Sequence, residues 1–372
     1  MRAIGMILAG GNSRRIKELT KNRAVAALPI VGNFRSIDFA LSSMTNSHVQ
    51  NVAVFTQYNS RSLTEHLSSS KWWDFGRKQG GLTIFTPSIT DDNNLWFRGT
   101  ADAMYQNLSF LKKSHEPYVI IASGDGIYKI DYGKVLEYHI EKQADITVVV
   151  KEMEEGFRSE RYGCVKMDND NRIIDFEEKP IITSSNTVSC GIYILRRRHL
   201  IELIEKCAEE DRHDFVSDIL VRYRDVKAIY GYKLDTYWSN IASLEDYYRT
   251  NMDFLKKEVR YFFMIDYPTI YTKVDDLPPA KINTGSNIRN SMIASGSIIN
   301  GTVEDSLVFK KTFIGSNCYI KNSIILNDVY IADNSHLENC IVESHSTIRS
   351  DYYHKCEQGI DVVIEAGDRF IM

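Results

Sequence analysis

The chain has 372 residues, 43% hydrophobic and 25% charged, with a formal net charge of -4. That length carries one large or two ordinary domains, each with its own core, and the composition is that of a soluble globular protein. The acidic balance argues against a general nucleic-acid binder. No apolar run approaches the ~20 residues that span a bilayer, and Gly10 and Gly11 interrupt the first apolar run too early for a secretory leader, so a cytoplasmic location is expected.

The first apolar stretch, Ala3–Leu8, reads as a strand. It opens into Ala9-Gly10-Gly11 and then two adjacent arginines, Arg14 and Arg15. The loop has the form of a phosphate holder, yet Ser13 and Arg14 place side chains where such loops use bare backbone. Further strands are expected at Asn51–Thr56, Tyr118–Ala122 and Asp145–Val150, with helices at Thr100–Lys113 and Tyr132–Lys142 between them. Near-continuous apolar strands separated by helices predict a mostly parallel mixed sheet with crossover helices, a Rossmann-like α/β domain. Ligands of such sheets bind beyond the carboxyl ends of the strands, which points to the loops after Leu8 and Ala122.

From Tyr162 to Leu195 the pattern changes to two strands joined by the polar turn Asp168–Asn171, followed by a third strand in VSCGIYIL. Asp168–Asn171 lacks the calcium-loop pattern. Arg196, Arg197 and Arg198 read as the solvated start of a helix, with an anionic effector site as the alternative. A helix over Ser243–Lys257 closes a first domain, residues 1–257. The linker, residues 258–280, carries three of the seven prolines.

Beyond the linker, aliphatic residues recur every five or six positions: Ile282, Ile288, Ile293, Ile298, Val303, Val308, Ile314 and onward to Ile348. A finer return at 17 links Val303 to Ile320 to Leu337, Val308 to Ile325 to Val342, and Ile314 to Ile331 to Ile348. Three short rungs per turn with Gly, Asn, Ser and Asp at the corners predict a left-handed parallel β-helix over 281–372, its last residues forming a terminal cap. A flat antiparallel sheet would alternate strictly without that return.

The six cysteines form no C-x-x-C pair, so they are expected to be reduced, small buried hydrophobes rather than zinc ligands. The nine histidines show no H-x-x-x-H pair, and His115 and His139 read as surface residues.

Several stretches carry a specific resemblance. ILAGGNSRRIKELTKNRAVAALPIVGNFRSIDFALSS, TQYNSRSLTEHL, GTADAMYQN, SGDGIYKIDY, FEEKP and SCGIYIL resemble, in order, the glucose-1-phosphate adenylyltransferases (ADP-glucose pyrophosphorylases) of bacterial glycogen synthesis. The match runs from the N-terminus into the β-helix. It implies a nucleotidyltransferase in which glucose 1-phosphate attacks the α-phosphorus of ATP, giving ADP-glucose and pyrophosphate, with Mg²⁺ as cofactor. Catalysis of that kind rests on positioning and charge neutralisation.

The resemblance implies catalytic roles for Arg15 and for Asp125, which is also a metal ligand. Leu8, Gly10, Gly11, Trp96, Gly99, Thr100 and Gln106 match nucleotide-side positions. Glu178, Lys179, Ser189, Tyr193, Asp214, Phe215 and Trp238 match positions lining the sugar-phosphate pocket. Four positions depart from the family. Ser13 replaces a glycine and Arg14 a threonine of the loop, Val25 replaces a lysine, and Asn240 replaces the second metal-binding aspartate. Gly126 and Ala242 depart nearby. An amide keeps a carbonyl oxygen but not the charge that Mg²⁺ prefers, so Mg²⁺ is expected to be weakly held or absent.

Reaction parts are altered while the cleft frame is kept. That pattern resembles the GlgD-type regulatory subunit, which stands beside an active GlgC-type subunit in a heterotetramer. A catalytically active adenylyltransferase, a sensor module outside glycogen metabolism and a β-helix acyltransferase are the competing readings.

Overall fold

The computed structural model describes residues 2–11, 14–76, 80–88, 96–154 and 156–365, the side chains of Arg14 and Lys17 excepted. The chain falls into two compact units: Met1–Asn12, Arg23–Ala26 and Phe39–Asn240 form one, and Ser13–Asn22, Ala27–Asp38 and Ile241–Met372 form the other. No described helix is long and apolar enough to cross a membrane.

The first unit is built on a mixed sheet. In chain order its strands are β1 (Ala3–Leu8), β2 (Asn51–Phe55), β3 (Gly81–Phe85), β4 (Tyr118–Ser123), β5 (Gly126–Tyr128), β6 (Ile146–Glu152), β7 (Gly163–Met167), β8 (Ile173–Glu178), β9 (Thr187–Arg196), β10 (Ile229–Lys233) and β11 (Trp238–Asn240). The large sheet runs β8-β7-β9-β4-β1-β2-β3, with β6 paired to β9 and to β10. β1 is parallel to both β2 and β4, and β2 to β3. β9 runs antiparallel to β4, β6 and β7, and β8 antiparallel to β7, so β8 and β9 are reversed within a mostly parallel arrangement. β1 is apolar throughout because it lies mid-sheet: Ile4, Met6 and Ile7 are each at most 1% exposed. Ile4, Met6, Ala53, Phe55, Val119 and Ile121 pack in one core with Met104, Leu111 and Phe215.

Two elements differ from the sequence expectation. The helix expected over Thr100–Lys113 is two, α1 (Thr100–Gln106) and α2 (Leu108–Lys113), separated by Asn107 at φ -114 and ψ 24. The Asn107 amide donates to the carbonyl of Ala103, a local bond that competes with helix propagation. The helix after β9, α3 (Arg197–Glu209), does not begin on a fully solvated arginine row. Arg197 is part-buried and donates to the carbonyls of Glu116 and Leu111, at 2.8 and 2.9 Å. The polar turn between β7 and β8 forms as expected: the Asp168 side chain accepts from the backbone N–H of Asp170 and Arg172, and Asn171 takes the left-handed conformation.

In the second unit, the helix expected over Ser243–Lys257 ends early. α4 (Leu244–Met252) is capped by Ser243, whose Oγ accepts from the Asp246 N–H. The chain turns extended at Lys256 and resumes as α5 (Lys257–Met264). Residues 27–38 are tied to α4: Asn251 Oδ1 accepts from the Val31 N–H at 2.9 Å, and the Tyr247 hydroxyl donates to the Pro29 carbonyl at 2.6 Å.

The rest of the unit is the left-handed parallel β-helix. Its rungs form three five-stranded parallel sheets. Val303, Ile320 and Leu337 are register partners, as are Val308, Ile325 and Val342, and Ile314, Ile331 and Ile348. All nine are buried, and they form the inner column. The structure corrects one rung: Ile299, fully buried, points inward, while Ile298 is 37% exposed. The first return, Ile282 to Ile299, is the full 17, but Ile288 pairs with Val303 at 15, because the corner between Ile299 and Val303 is two residues shorter. Asparagines stack at the corners at the same interval, Asn283 to Asn300, Asn317 to Asn334, and Asn322 to Asn339. Many corner residues, among them Asn317, Asn322, Asn334 and Asn339, take the left-handed conformation that asparagine tolerates. Tyr353–Lys355 and Asp361–Val363 continue as rungs rather than forming a separate cap. The remainder of the expected cap, 366–372, lies outside the described residues.

All six cysteines are buried and free, and burial pushes each thiol's pKa up. His115 is exposed, but His139 is not a surface residue: it is 2% exposed.

Candidate active site

The carboxyl ends of β1, β2 and β4 meet in one set of loops. The Ala9 N–H donates to the Phe55 carbonyl, and the Gly124 N–H to the Leu8 carbonyl. A side chain at Gly124 would press within 3.2 to 3.3 Å of Ala9 and Ala26 Cβ, so small residues are what let these loops close. Gly10 faces Gln57 on the loop after β2, and the Gln57 amide reaches the Phe97 carbonyl at 3.3 Å. Next to it Trp96, 57% exposed, stacks on Tyr58 at 5.2 Å and 15°. The pair presents a flat, open aromatic surface beside the strand-end loops.

Gly99 and Thr100 lead into α1 against the loop at His213. A Cβ on Gly99 would lie 2.3 Å from the His213 carbonyl oxygen, which itself accepts from the N–H of Ala101 and Asp102. The Thr100 hydroxyl accepts from the Phe215 N–H at 2.8 Å and lies 3.4 Å from Asp214. These contacts bring the nucleotide-side and sugar-side predictions into one wall. Gln106 is different. Its amide nitrogen is bound to the buried Asp102 at 2.9 Å, its one hydrogen bond among the described residues. Asp102 also accepts from the backbone and guanidinium of Arg98, so this network organises the helix start. Sequence reading missed Asp102; its burial in a matched motif is visible only in three dimensions.

The residues expected on the sugar side are the most closely assembled group. Lys179 follows β8 at φ 51, and its N–H donates to the Tyr162 carbonyl. Its ammonium binds Glu178 at 2.6 Å. A non-glycine residue in this backbone region costs about 1–3 kcal/mol and persists where surrounding contacts impose it. β9 bulges between Ser189 and Ile192, with Gly191 at φ 69. The bulge lets the Ser189 hydroxyl accept from the Gly191 N–H and meet the Tyr193 hydroxyl at 3.3 Å. Tyr193 packs against Phe215, ring centroids 5.2 Å apart and planes tilted by 50°. Burial, reinforced by Glu178 and Asp214, pushes its phenol pKa up, against the pull of the Ser189 bond, so it acts as a neutral hydrogen-bonding group. Trp238 is buried against Tyr162, ring to ring at 5.7 Å.

Asp125 stands between β4 and β5. Burial pushes its carboxyl pKa up, while the Ser123 hydroxyl, bonded to Oδ1, and the charge of Lys179 pull it down. β11 pairs antiparallel with β5, which sets Asn240 directly opposite Gly126, the neighbour of Asp125. Asn240 Oδ1 is buried without a hydrogen-bond partner, as is Trp238 Nε1 two residues earlier. The pair is therefore one carboxylate and one amide oxygen. Among the described residues no three His, Cys, Asp or Glu side chains converge as a metal site. Mg²⁺ prefers charged oxygens, and one buried carboxylate already engaged by a serine does not fit a tight seat. Val25 is buried, 6% exposed, on the short turn Val25–Ala27. Arg15 is exposed on the turn Arg14–Thr20 in the second unit. Ser13 and the side chain of Arg14 lie outside the described residues.

Comparison with known proteins follows this division of the chain. Residues 4–257 match the nucleotidyl transferase family, and 278–361 match the GlmU-like C-terminal hexapeptide family. The glucose-1-phosphate adenylyltransferase of Clostridium novyi is 37% identical over 322 residues, covering 85% of this chain and 84% of that protein. Those of Thermosipho melanesiensis and Mycoplasma mobile are each 34% identical, over 86% of this chain and 77% and 84% of theirs. With an adenylyltransferase-type cleft at the strand ends and a hexapeptide β-helix behind it in sequence, the chain belongs to the glucose-1-phosphate adenylyltransferase family of nucleotidyl transferases.

Proposed function

We propose that the chain is a GlgD-type regulatory subunit, catalytically weak, that assembles with an active GlgC-type subunit in a heterotetramer of the cytoplasm. The assembly's reaction is ATP and glucose 1-phosphate to ADP-glucose and pyrophosphate, supplying glycogen biosynthesis. The observation that carries this reading is Asn240, set opposite Gly126 beside Asp125 with its Oδ1 unpartnered. An amide there leaves one carboxylate where the family uses two, and Mg²⁺ is held weakly at most. Val25, buried and aliphatic, stands where a lysine would neutralise phosphate charge. One such stabiliser is worth about 2.7–4 kcal/mol of barrier, so its loss slows chemistry without harming the fold. The preserved Glu178, Lys179, Ser189, Tyr193 and Asp214 support a cleft that takes glucose 1-phosphate, ATP, ADP-glucose or an anionic effector. Such a subunit tunes its partner by contacting the partner's active state better than its inactive one.

The same intact sugar-phosphate wall favours a second reading, an adenylyltransferase active in its own right. ADP-glucose formation by the purified chain, alone and mixed with an active homologue, separates the two. Little turnover alone and enhancement on mixing are expected; robust turnover alone removes the regulatory reading. Restoring Ser13→Gly, Arg14→Thr, Val25→Lys and Asn240→Asp together is expected to raise activity by orders of magnitude. Flat activity in a folded quadruple variant shows that these substitutions are not the cause of weakness.

A further inference from the structure

Away from the cleft, the second unit carries an open surface cavity of about 320 Å³ lined by Leu255 and Arg260 near α5 and by Ile288, Asn290, Ser291 and Met292 of the first β-helix turn. That volume is at the small end of ligand sites. Leu255, Ile288 and Met292 make an apolar wall. The three polar residues are not equivalent. Ser291 is spent: its Oγ donates to the Arg289 carbonyl at 2.8 Å and accepts from the Ser306 N–H at 3.1 Å. Asn290 donates its amide N–H to Asp305 at 2.7 Å. A carboxylate only accepts, so the amide orientation is fixed and Oδ1 is the group Asn290 has to offer.

Arg260 is the residue with capacity left over. It is half-buried. Its Nη1 donates to the Leu255 carbonyl at 3.1 Å and, more weakly, to the Phe254 carbonyl at 3.5 Å. It forms no ion pair among the described residues. The two carbonyls fix the plane of the guanidinium, while its charge stays uncompensated and most of its five N–H donors stay unused. A half-buried charge without a partner is costly, and an oriented fork of donors matches a carboxylate or phosphate.

We propose that this cavity binds a small organic anion, its carboxylate or phosphate head on Arg260 and a short carbon body against Leu255, Ile288 and Met292. A hydroxyl on that body would donate to Asn290 Oδ1. The site stands independently of the nucleotidyl-transfer reading, because no residue of the cleft takes part in it.

The test uses the full chain with labelled isoleucine, leucine and methionine methyl groups, observed by NMR. Butyrate and butyl phosphate are titrated as the two anionic heads; 1-butanol and inorganic phosphate are the controls. Saturable shifts at the Ile288, Met292 and Leu255 methyls with one of the anions are expected. Arg260→Gln is expected to weaken binding on the order of tenfold or more, with Arg260→Lys in between, because a point charge replaces the fork. Should the glutamine variant fail to fold, Met292→Phe, which narrows the cavity, is expected to give the same loss. The proposal is overturned if neither anion shifts those methyls, if 1-butanol binds as tightly, or if affinity survives in Arg260→Gln or Met292→Phe.

Discussion

His139 offers the sharpest test of how burial sets charge in the first unit. It lies on the helix Tyr132–Glu141 and is 2% exposed, with Nδ1 2.9 Å from the Thr147 hydroxyl and Nε2 without a partner. Tyr118 packs edge-on against its ring. Burial lowers its pKa to about 4, Arg196 and His199 push the same way, and Asp145 opposes them. The unfolded chain presents an ordinary imidazole near 6.5, so it binds the proton more readily than the folded chain does. The associated stability is present above pH 6.5 and is lost as pH falls toward 4. A gap of that size is worth roughly 3 kcal/mol in full, and about 2.5 kcal/mol of it is gone by pH 4.5. The assay is urea unfolding at pH 7 and pH 4.5 for the native chain and for His139→Gln. Other groups titrate in both proteins, so the difference between the two pH responses isolates this histidine. A glutamine variant that loses as much stability on acidification as the native chain would refute the account.

Two further outcomes follow from steric facts. Gly99→Ala drives a methyl into the His213 carbonyl at 2.3 Å, so the helix start must part from that loop. A loss of about 1–3 kcal/mol in stability and a fall in nucleotide affinity, read by calorimetry, are expected; unchanged values for both would show that the loop gives way freely. In the β-helix, Ile320→Ala empties a fully buried site between Val303 and Leu337. It is expected to cost about 2–5 kcal/mol, against a negligible change for Thr302→Ala on the outer side of the neighbouring rung. Equal effects in chemical denaturation would mean the inner column is not where the cohesion lies.

Much of this was legible because periodicity reports burial directly. The 17-residue return fixed which aliphatics stack, and register confirmed Val303, Ile320 and Leu337. It misjudged Ile298 because two adjacent isoleucines give no sign of which one turns inward. Helix ends were read less well. Nothing local marks Asn107 as a break until its side chain is seen on the Ala103 carbonyl. In the cleft, residues that the motifs group lie close in space: Ser189 touches Tyr193, and Thr100, expected on the nucleotide side, approaches Asp214, expected on the sugar side. Asp102, Ser123 and Tyr162 were invisible as supports, because what they do depends on partners distant in sequence or on the turn of a strand end. His139 looked like a surface residue since one histidine in a helix carries no record of the sheet that covers it.

The stacked asparagines constrain how the β-helix can change length in evolution. A change of a few residues keeps the inner column only where a single corner absorbs it, as between Ile299 and Val303, two residues short, and between Lys355 and Asp361, four residues long. Duplicating a complete turn such as Cys318–Asn334 presents the same amide and the same inner aliphatics to the rung on either side. The tower can therefore grow or shrink by whole storeys while its corners stay aligned, and partial steps are confined to the two corners that already carry them.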